Sequence, residues 1–173
     1  VGTNQARLDL TGIPLPNDQY RLTVNGGQAV SVSGLVGHWT FDDGTGSTAS
    51  DSSGNVNPAA LTGGPTWVPG KIGGALSFDG SDDRGAVANS ASIDPTAAWT
   101  LACWVKRNAS GAQHSLLEKY SGAAGNGNYA MRINSNNQLA GYLIHNPDFE
   151  TVVGSTVITP GTWYHVAVTF NNS

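Results

Sequence analysis

The stretch Trp163-Tyr164-His165-Val166-Ala167-Val168-Thr169-Phe170 decides the fold. Read at the two-residue period of a strand, it sets Tyr164, Val166, Val168 and Phe170 on one face and Trp163, His165, Ala167 and Thr169 on the other. The first set is a core stripe. A strand buried on one side needs a second sheet to cover it, so this octapeptide points to two layers of β-structure. Just before it, Thr159-Pro160-Gly161-Thr162 carries the Pro-Gly pair of a turn feeding a strand.

Working outward, runs of the same texture recur: Leu35 to Phe41, Ala75 to Phe78, Trp99 to Val105, Ser115 to Tyr120, Tyr129 to Ile133, Leu139 to Ile144 and Thr151 to Ile158. Each has strand length and a β-rich composition. Asn134 to Gln138 reads as a hairpin turn between two of them. No stretch keeps a 3.6-residue period for three turns. The expected fold is therefore all-β, an antiparallel sandwich of short strands.

Composition agrees with that reading and removes several functions. The 173 residues allow one well-buried domain with a short appendage. Only 12% of residues are charged, 23 are Gly, and Glu118 and Glu150 are the only glutamates, so good helix formers are scarce. A net charge of -4 with eight basic residues leaves no patch to neutralise phosphates, which argues against nucleic acid and anionic membranes. The single Cys103 can form neither an internal disulfide nor a structural zinc site and reads as a small core residue. No apolar run approaches the ~20 residues that cross a bilayer, so no membrane insertion is expected. Val1 does not read as a natural start nor Ser173 as a natural end, and the chain is expected to be a piece of a larger protein.

Residues 1-34 stand apart. Arg7-Leu8-Asp9-Leu10 and Tyr20-Arg21-Leu22-Thr23-Val24, separated by Pro14, Pro16 and Asn17-Asp18, form a hairpin pattern, followed by a Gly/Ser/Val linker to Gly34. This hairpin resembles the end of an upstream immunoglobulin-like module. Packing as an extra edge on the main sandwich is an equal alternative.

Four phrases stack in order along residues 35-173: Leu35-Val36-Gly37-His38-Trp39-Thr40-Phe41-Asp42-Asp43-Gly44 with Asp51-Ser52-Ser53-Gly54-Asn55; Gly70-Lys71-Ile72-Gly73-Gly74-Ala75-Leu76-Ser77-Phe78-Asp79-Gly80-Ser81-Asp82-Asp83; Trp99-Thr100-Leu101-Ala102-Cys103-Trp104-Val105-Lys106; and Gly161 to Thr169. Together they resemble the laminin-G-like jelly-roll domains of the concanavalin-A-like lectin/glucanase superfamily, found in large bacterial surface and secreted proteins. The resemblance implies an extracellular or cell-surface module. It also implies that the last strands of the sandwich are missing. Unpaired backbone and an uncovered core face would then be filled by the N-terminal hairpin or by self-association through the open sheet edge.

Candidate chemistry sits in the loops. Asp43, Asp51, Asp79, Asp82 and Asp83 offer the hard oxygen ligands that Ca²⁺ takes, while the same residues serve equally as turn caps through bonds to backbone N-H groups. The resemblance implies a second calcium position at Asn126-Gly127-Asn128-Tyr129, where Asn128 stands in place of a family Asp and supplies an uncharged oxygen. A structural calcium is the expected cofactor. For a glycan or glycoprotein ligand, the aromatic residues in or beside loops are Trp67, Tyr120, Tyr129, Tyr142 and Phe149, and the candidate ligand-binding set is Trp67, Tyr120, Tyr129 and Tyr142 with Asn126 and Asn128 as hydrogen-bonding partners. Trp67 could equally pack over the sandwich end. Trp39, Trp99, Trp104 and Trp163, inside strand patterns, are expected in the core.

Catalysis finds no support. Glu118 and Glu150 lie far apart in sequence, no E-x-D-x-E-like cluster exists, and His38, His114, His145 and His165 are scattered without a G-x-S-x-G elbow. The reading is a non-catalytic carbohydrate- or glycoprotein-binding adhesion module, calcium-dependent as the resemblance implies; the alternative is a structural spacer without a small-molecule ligand.

Overall fold

In the computed structural model the described residues are 34-95, 98-119, 128-145 and 148-171. The hairpin expected over residues 7-24, together with Tyr120 and Asn126, lies outside them. The chain divides into two units, Val1–Ser33 and Gly34–Ser173, and the second holds all of the described strands.

The strands run in the order β1 (Thr48–Ala49), β2 (Ala59–Thr62), β3 (Thr66–Pro69), β4 (Gly74–Ser77), β5 (Arg84–Val87), a single 3-10 turn (Ala91–Ile93), β6 (Ala98–Lys106), β7 (His114–Lys119), β8 (Asn128–Ile133), β9 (Gln138–His145), β10 (Asp148–Val157) and β11 (Trp163–Asn171). Every pairing is antiparallel: β10-β9-β8-β7 form a four-stranded sheet, β11 pairs with β6, β1-β2-β5 form a small sheet, and β3-β4 a hairpin. The architecture is the expected all-β sandwich.

The octapeptide behaves as its alternation requires. Register sets Tyr164 beside Val105, Val166 beside Cys103, Val168 beside Leu101 and Phe170 beside Trp99, all on the inner face. That face packs on Met131 and Ile133 of β8, with Ile158 completing the buried cluster. Full burial of Met131 and Ile133 contributes about 1.5–3 kcal/mol each. The layers meet most closely at Gly141 of β9, where a Cβ would lie 2.4 Å from Val168 Cγ1; only glycine lets β9 approach β11 there. At the end of the core, Trp99 stacks on Phe170 with centroids 5.7 Å apart and tilts against Tyr129 at 5.4 Å. Burial pushes the Cys103 thiol up to about 11, as befits a core residue.

The turns also form where expected. Asn137 adopts φ 64°, its N-H donates to Asn134 O at 2.9 Å, and Gly161 takes φ 79° in the turn before β11. Arg107, 6% exposed, ties three such connections together. Its guanidinium donates to Asn137 Oδ1 at 2.6 Å and Ala112 O at 3.2 Å, and its carbonyl accepts Gly161 N-H at 2.8 Å.

Two expectations are corrected. Leu35 to Phe41 is not a strand, because no described strand pairs with it in a ladder, and Phe41 leaves the extended region at φ 59°. Separate bonds, most of them from side chains, hold it instead: Asp51 accepts His38 N-H, Asn55 donates to Leu35 O, Asn57 donates to Val36 O, and Ser52 donates both its N-H and its hydroxyl to His38 O. Asn57, 3% exposed, is the centre of this network, accepting from Ser90 and from the Trp39 indole, and donating to Ser92. The second correction concerns two of the strand tryptophans: Trp104, 40% exposed, and Trp163, whose ring lies under the Lys106 ammonium, are both on the outer face of the β6-β11 pair and not in the core. In β6 the odd positions Trp99, Leu101, Cys103 and Val105 face the core, so the even-numbered Trp104 must face out.

Candidate functional site

Asp79, Asp82 and Asp83 lie in the loop from β4 to β5, and the structure brings them together with ligand oxygens within 4.8 Å of one another. The local cause is plain. Asp83 Oδ2 accepts Asp79 N-H and Asp79 Oδ1 accepts Ser81 N-H, both at 2.8 Å, so the loop curls on itself. Gly63 clamps it from the side, since a Cβ there would lie 2.6 Å from Asp83 Cα. Oxygens around one Ca²⁺ sit 2.3–2.6 Å from the ion and hence no more than about 5 Å apart, so the three carboxylates fit a calcium sphere open to water on its outer side. Asp79 and Asp83 each keep an oxygen that the loop N-H groups do not use.

Asp43 and Asp51 are not part of this cluster. Asp43 accepts from the Ser50 hydroxyl and amide, and the hydroxyl bond holds its carboxyl below the ordinary value. Asp51 accepts N-H from His38, Ser53 and Asn57, each at 2.9 Å, and the Ser53 hydroxyl at 2.8 Å. Partial burial opposes its charge, but these donors outweigh it and bring the carboxyl down to about 2. Four donors converging on one carboxylate make a turn cap, and their partial positive charge disfavours a cation there.

Trp67 lies in β3 rather than in a loop. Its indole N-H donates to Gly46 O at 3.1 Å, and the half-buried ring lines a shallow depression with Phe41, Asp42, Gly44, Val68, Pro69 and Gly74. Packing and lining are both true of it. Tyr129 is corrected from the ligand-binding set: it is 6% exposed, its hydroxyl donates to Ile93 O at 3.1 Å, and burial followed by Asp94 pushes its pKa up. Asn128 opens β8.

Tyr142 is well placed. In the four-stranded sheet, register aligns Glu118, Ala130, Tyr142 and Thr151 across one rung and Ser115, Arg132, Ala140 and Val153 across the next, all facing away from the core. Arg132 reaches diagonally over Tyr142, its guanidinium carbon 5.2 Å from the ring centroid, and ion-pairs with Glu118 at 2.8 Å. Ala130 and Ala140 lie fully covered beneath. Glu118 Oε2 takes Arg132 Nε, Arg132 Nη2 and Ser115 Oγ, so among the described residues Oε1 and Arg132 Nη1 remain for a ligand. The result is a guanidinium stacked over an aromatic ring and held in place by a carboxylate, on the outer face of the sheet. Sequence reasoning finds Tyr142 but not Arg132 or Glu118 as its neighbours. The β-bulge between Ser115 and Leu117 shifts the β7 register, and no local pattern announces that shift.

The two glutamates cannot cooperate. Glu118 and Glu150 stand on the two edge strands of this sheet, three strand spacings or about 14 Å apart. Glu150 pairs with Leu143, whose rung holds the buried Tyr129, so the two carboxylates also lie on opposite faces. Paired glycosidase carboxyls stand about 5–9.5 Å apart across one substrate.

No curated protein matches the chain. A crystal structure of an S-layer domain-containing protein (residues 221-444) from Clostridium thermocellum ATCC 27405 shares the fold at a TM-score of 0.59 and 22% identity, covering 73% of this chain and 60% of that one. Residues 79–173, more than half of the sequence, match the family model described as the concanavalin A-like lectin/glucanases superfamily. The strand alternation, the two packed layers and this match agree, and the chain belongs to the concanavalin A-like lectin/glucanase superfamily, as a laminin-G-like jelly roll.

Proposed function

We propose that the protein is a non-catalytic carbohydrate- or glycoprotein-binding module of a larger secreted or surface protein, and that the Tyr142 platform is where it holds sugar. The observation that carries this reading is the Tyr142, Arg132 and Glu118 constellation on an open sheet face. A pyranose presents an apolar C-H face and vicinal hydroxyls. The stacked Tyr142-Arg132 pair takes the first, while the guanidinium N-H that Glu118 leaves over donates to the hydroxyls and the carboxylate accepts from them. Calcium at Asp79, Asp82 and Asp83 would fix the loop without touching the sugar. The S-layer domain-containing neighbour supports placement at a cell surface.

A glycan array tests this. Wild type is expected to label a defined set of glycans, and both Arg132→Ala and Tyr142→Ala to lose at least about tenfold in affinity with the fold intact by circular dichroism. Binding unchanged in both variants would refute the platform. Silence across a broad array would favour a second reading, a structural interaction domain. That reading has its own observation, because edge strand β10 exposes Val152, Val153 and Val157 while β11 pairs only with β6 among the described strands. Such edges associate with a second copy, and light scattering at micromolar concentration should find dimers.

A further inference from the structure

Phe41, half-buried, sits at φ 59°, a left-handed conformation that a bulky residue adopts only where its surroundings impose it. The turn of the β3-β4 hairpin imposes it here. Asp42 Oδ1 accepts Gly74 N-H at 2.7 Å. A Cβ on Gly73 would collide with the Asp42 carboxylate and one on Gly74 with the Phe41 carbonyl, so only glycine at both positions lets the hairpin seat against Phe41-Asp42. Phe41 and Asp42 are thereby set beside Trp67, and the three line a depression of about 230 Å³. Trp67 is fixed from its other end. Its indole N-H is spent on Gly46 O at 3.1 Å, so what remains to the half-buried ring is apolar contact.

Size and chemistry select the occupant. The volume falls below the ~300–1,000 Å³ of pockets that enclose a drug-sized ligand, so the depression holds one small ring rather than a whole oligosaccharide. Asp42 is the only charged residue on its wall, and among the described residues no donor reaches Asp42 Oδ2, which is left to accept from hydroxyls. That carboxylate disfavours an anionic ligand, and a wholly apolar one would desolvate it without supplying a partner. A quaternary ammonium is held by aromatic faces that surround it, whereas Gly44, Val68 and Pro69 supply the rest of this wall. A neutral pyranose meets all of these constraints, with its C-H face for Trp67 and Phe41 and its hydroxyls for Asp42.

We propose that this depression is a second sugar subsite, specific for a single neutral pyranose unit. It rests on the carbohydrate-binding reading above but uses no residue of the Tyr142 platform.

The test is two-dimensional proton-nitrogen NMR of the full chain. Five tryptophans give five indole N-H signals, and the one lost in Trp67→Phe is that of Trp67. Titration with methyl glucoside, methyl galactoside, methyl mannoside and N-acetylglucosamine, each to about 100 mM, spans the millimolar affinity expected for one small ring in a shallow site. At least one sugar should move the Trp67 signal saturably and leave those of Trp39, Trp99, Trp104 and Trp163 in place. Arg132→Ala should show the same shift, while Asp42→Asn, which keeps an oxygen for Gly74 N-H, should weaken binding at least about threefold. A Trp67 signal unmoved by every sugar, moved more strongly by choline or glucuronate than by any neutral sugar, or moved equally in Asp42→Asn overturns the proposal. A still Trp67 signal beside intact Tyr142-dependent array binding fails this subsite alone, whereas silence in both assays also removes the carbohydrate reading.

Discussion

Removing the carboxylate of Asp51 should loosen the whole 35-57 segment, by an amount the structure allows to be worked out. The side chain accepts four hydrogen bonds of 2.8–2.9 Å, three from backbone N-H groups, and one of those donors belongs to the buried Asn57. Water replaces the exposed bonds in part. The Asn57 donor loses its partner in the interior, at a cost of about 1–3 kcal/mol, and the charge-assisted bonds add to it. Asp51→Ala should therefore cost about 2–4 kcal/mol, or roughly 4–16 °C in Tm for a domain of this size. The same carboxyl sets an acid limb. Its folded pKa of about 2 lies below the ordinary 3.8, so its stabilisation is fully present above about pH 4 and is lost as pH falls toward 2. After allowance for solvent screening of a partly exposed group, that contribution is about 1–2 kcal/mol. Urea titrations followed by tryptophan fluorescence between pH 7 and pH 2 would measure both quantities. An Asp51→Ala variant within about 0.5 kcal/mol of wild type, or an acid limb identical in wild type and Asp51→Asn, would refute the account.

Arg107→Lys should cost about 1–3 kcal/mol in urea denaturation although charge is kept, because one ammonium cannot span Asn137 Oδ1 and Ala112 O as the guanidinium does. Gly141→Ala should cost about 1–3 kcal/mol by overpacking against Val168, read as a lower thermal midpoint. Chelation with EDTA should lower the unfolding midpoint of wild type and leave Asp82→Asn unmoved; equal midpoints for wild type with calcium and with EDTA would remove the ion from the loop. Cys103, its thiol raised by burial to about 11, should resist Ellman's reagent at pH 8 until the protein is unfolded.

The sandwich is legible in the sequence because its long strands obey strict alternation, and Tyr164, Val166 and Val168 can face only one way once a second sheet is required. The short strands are not legible. Ala59-Ala60-Leu61-Thr62 and Arg84-Gly85-Ala86-Val87 are too small and irregular to carry a period, and they become strands through pairing with each other. Leu35 to Phe41 shows the converse, a strand-like run without a ladder because pairing needs a neighbour. The acidic cluster is readable from the density of Asp in one loop. The Tyr142 platform is readable only in part, because Arg132 and Glu118 sit 14 residues apart and meet through cross-strand register. Trp104 departs from expectation because strand membership does not imply burial, and the parity that buries Cys103 exposes its neighbour.

The fastening of residues 35-41 has a mechanical consequence. A strand held along a ladder and pulled lengthwise fails only when many bonds yield at once. This segment is pinned at separate points by Asp51, Ser52, Asn55 and Asn57, so tension applied from Gly34 would load those pins one after another. It should peel away at low force, and its amides should exchange with solvent through local opening long before those of β6 and β11.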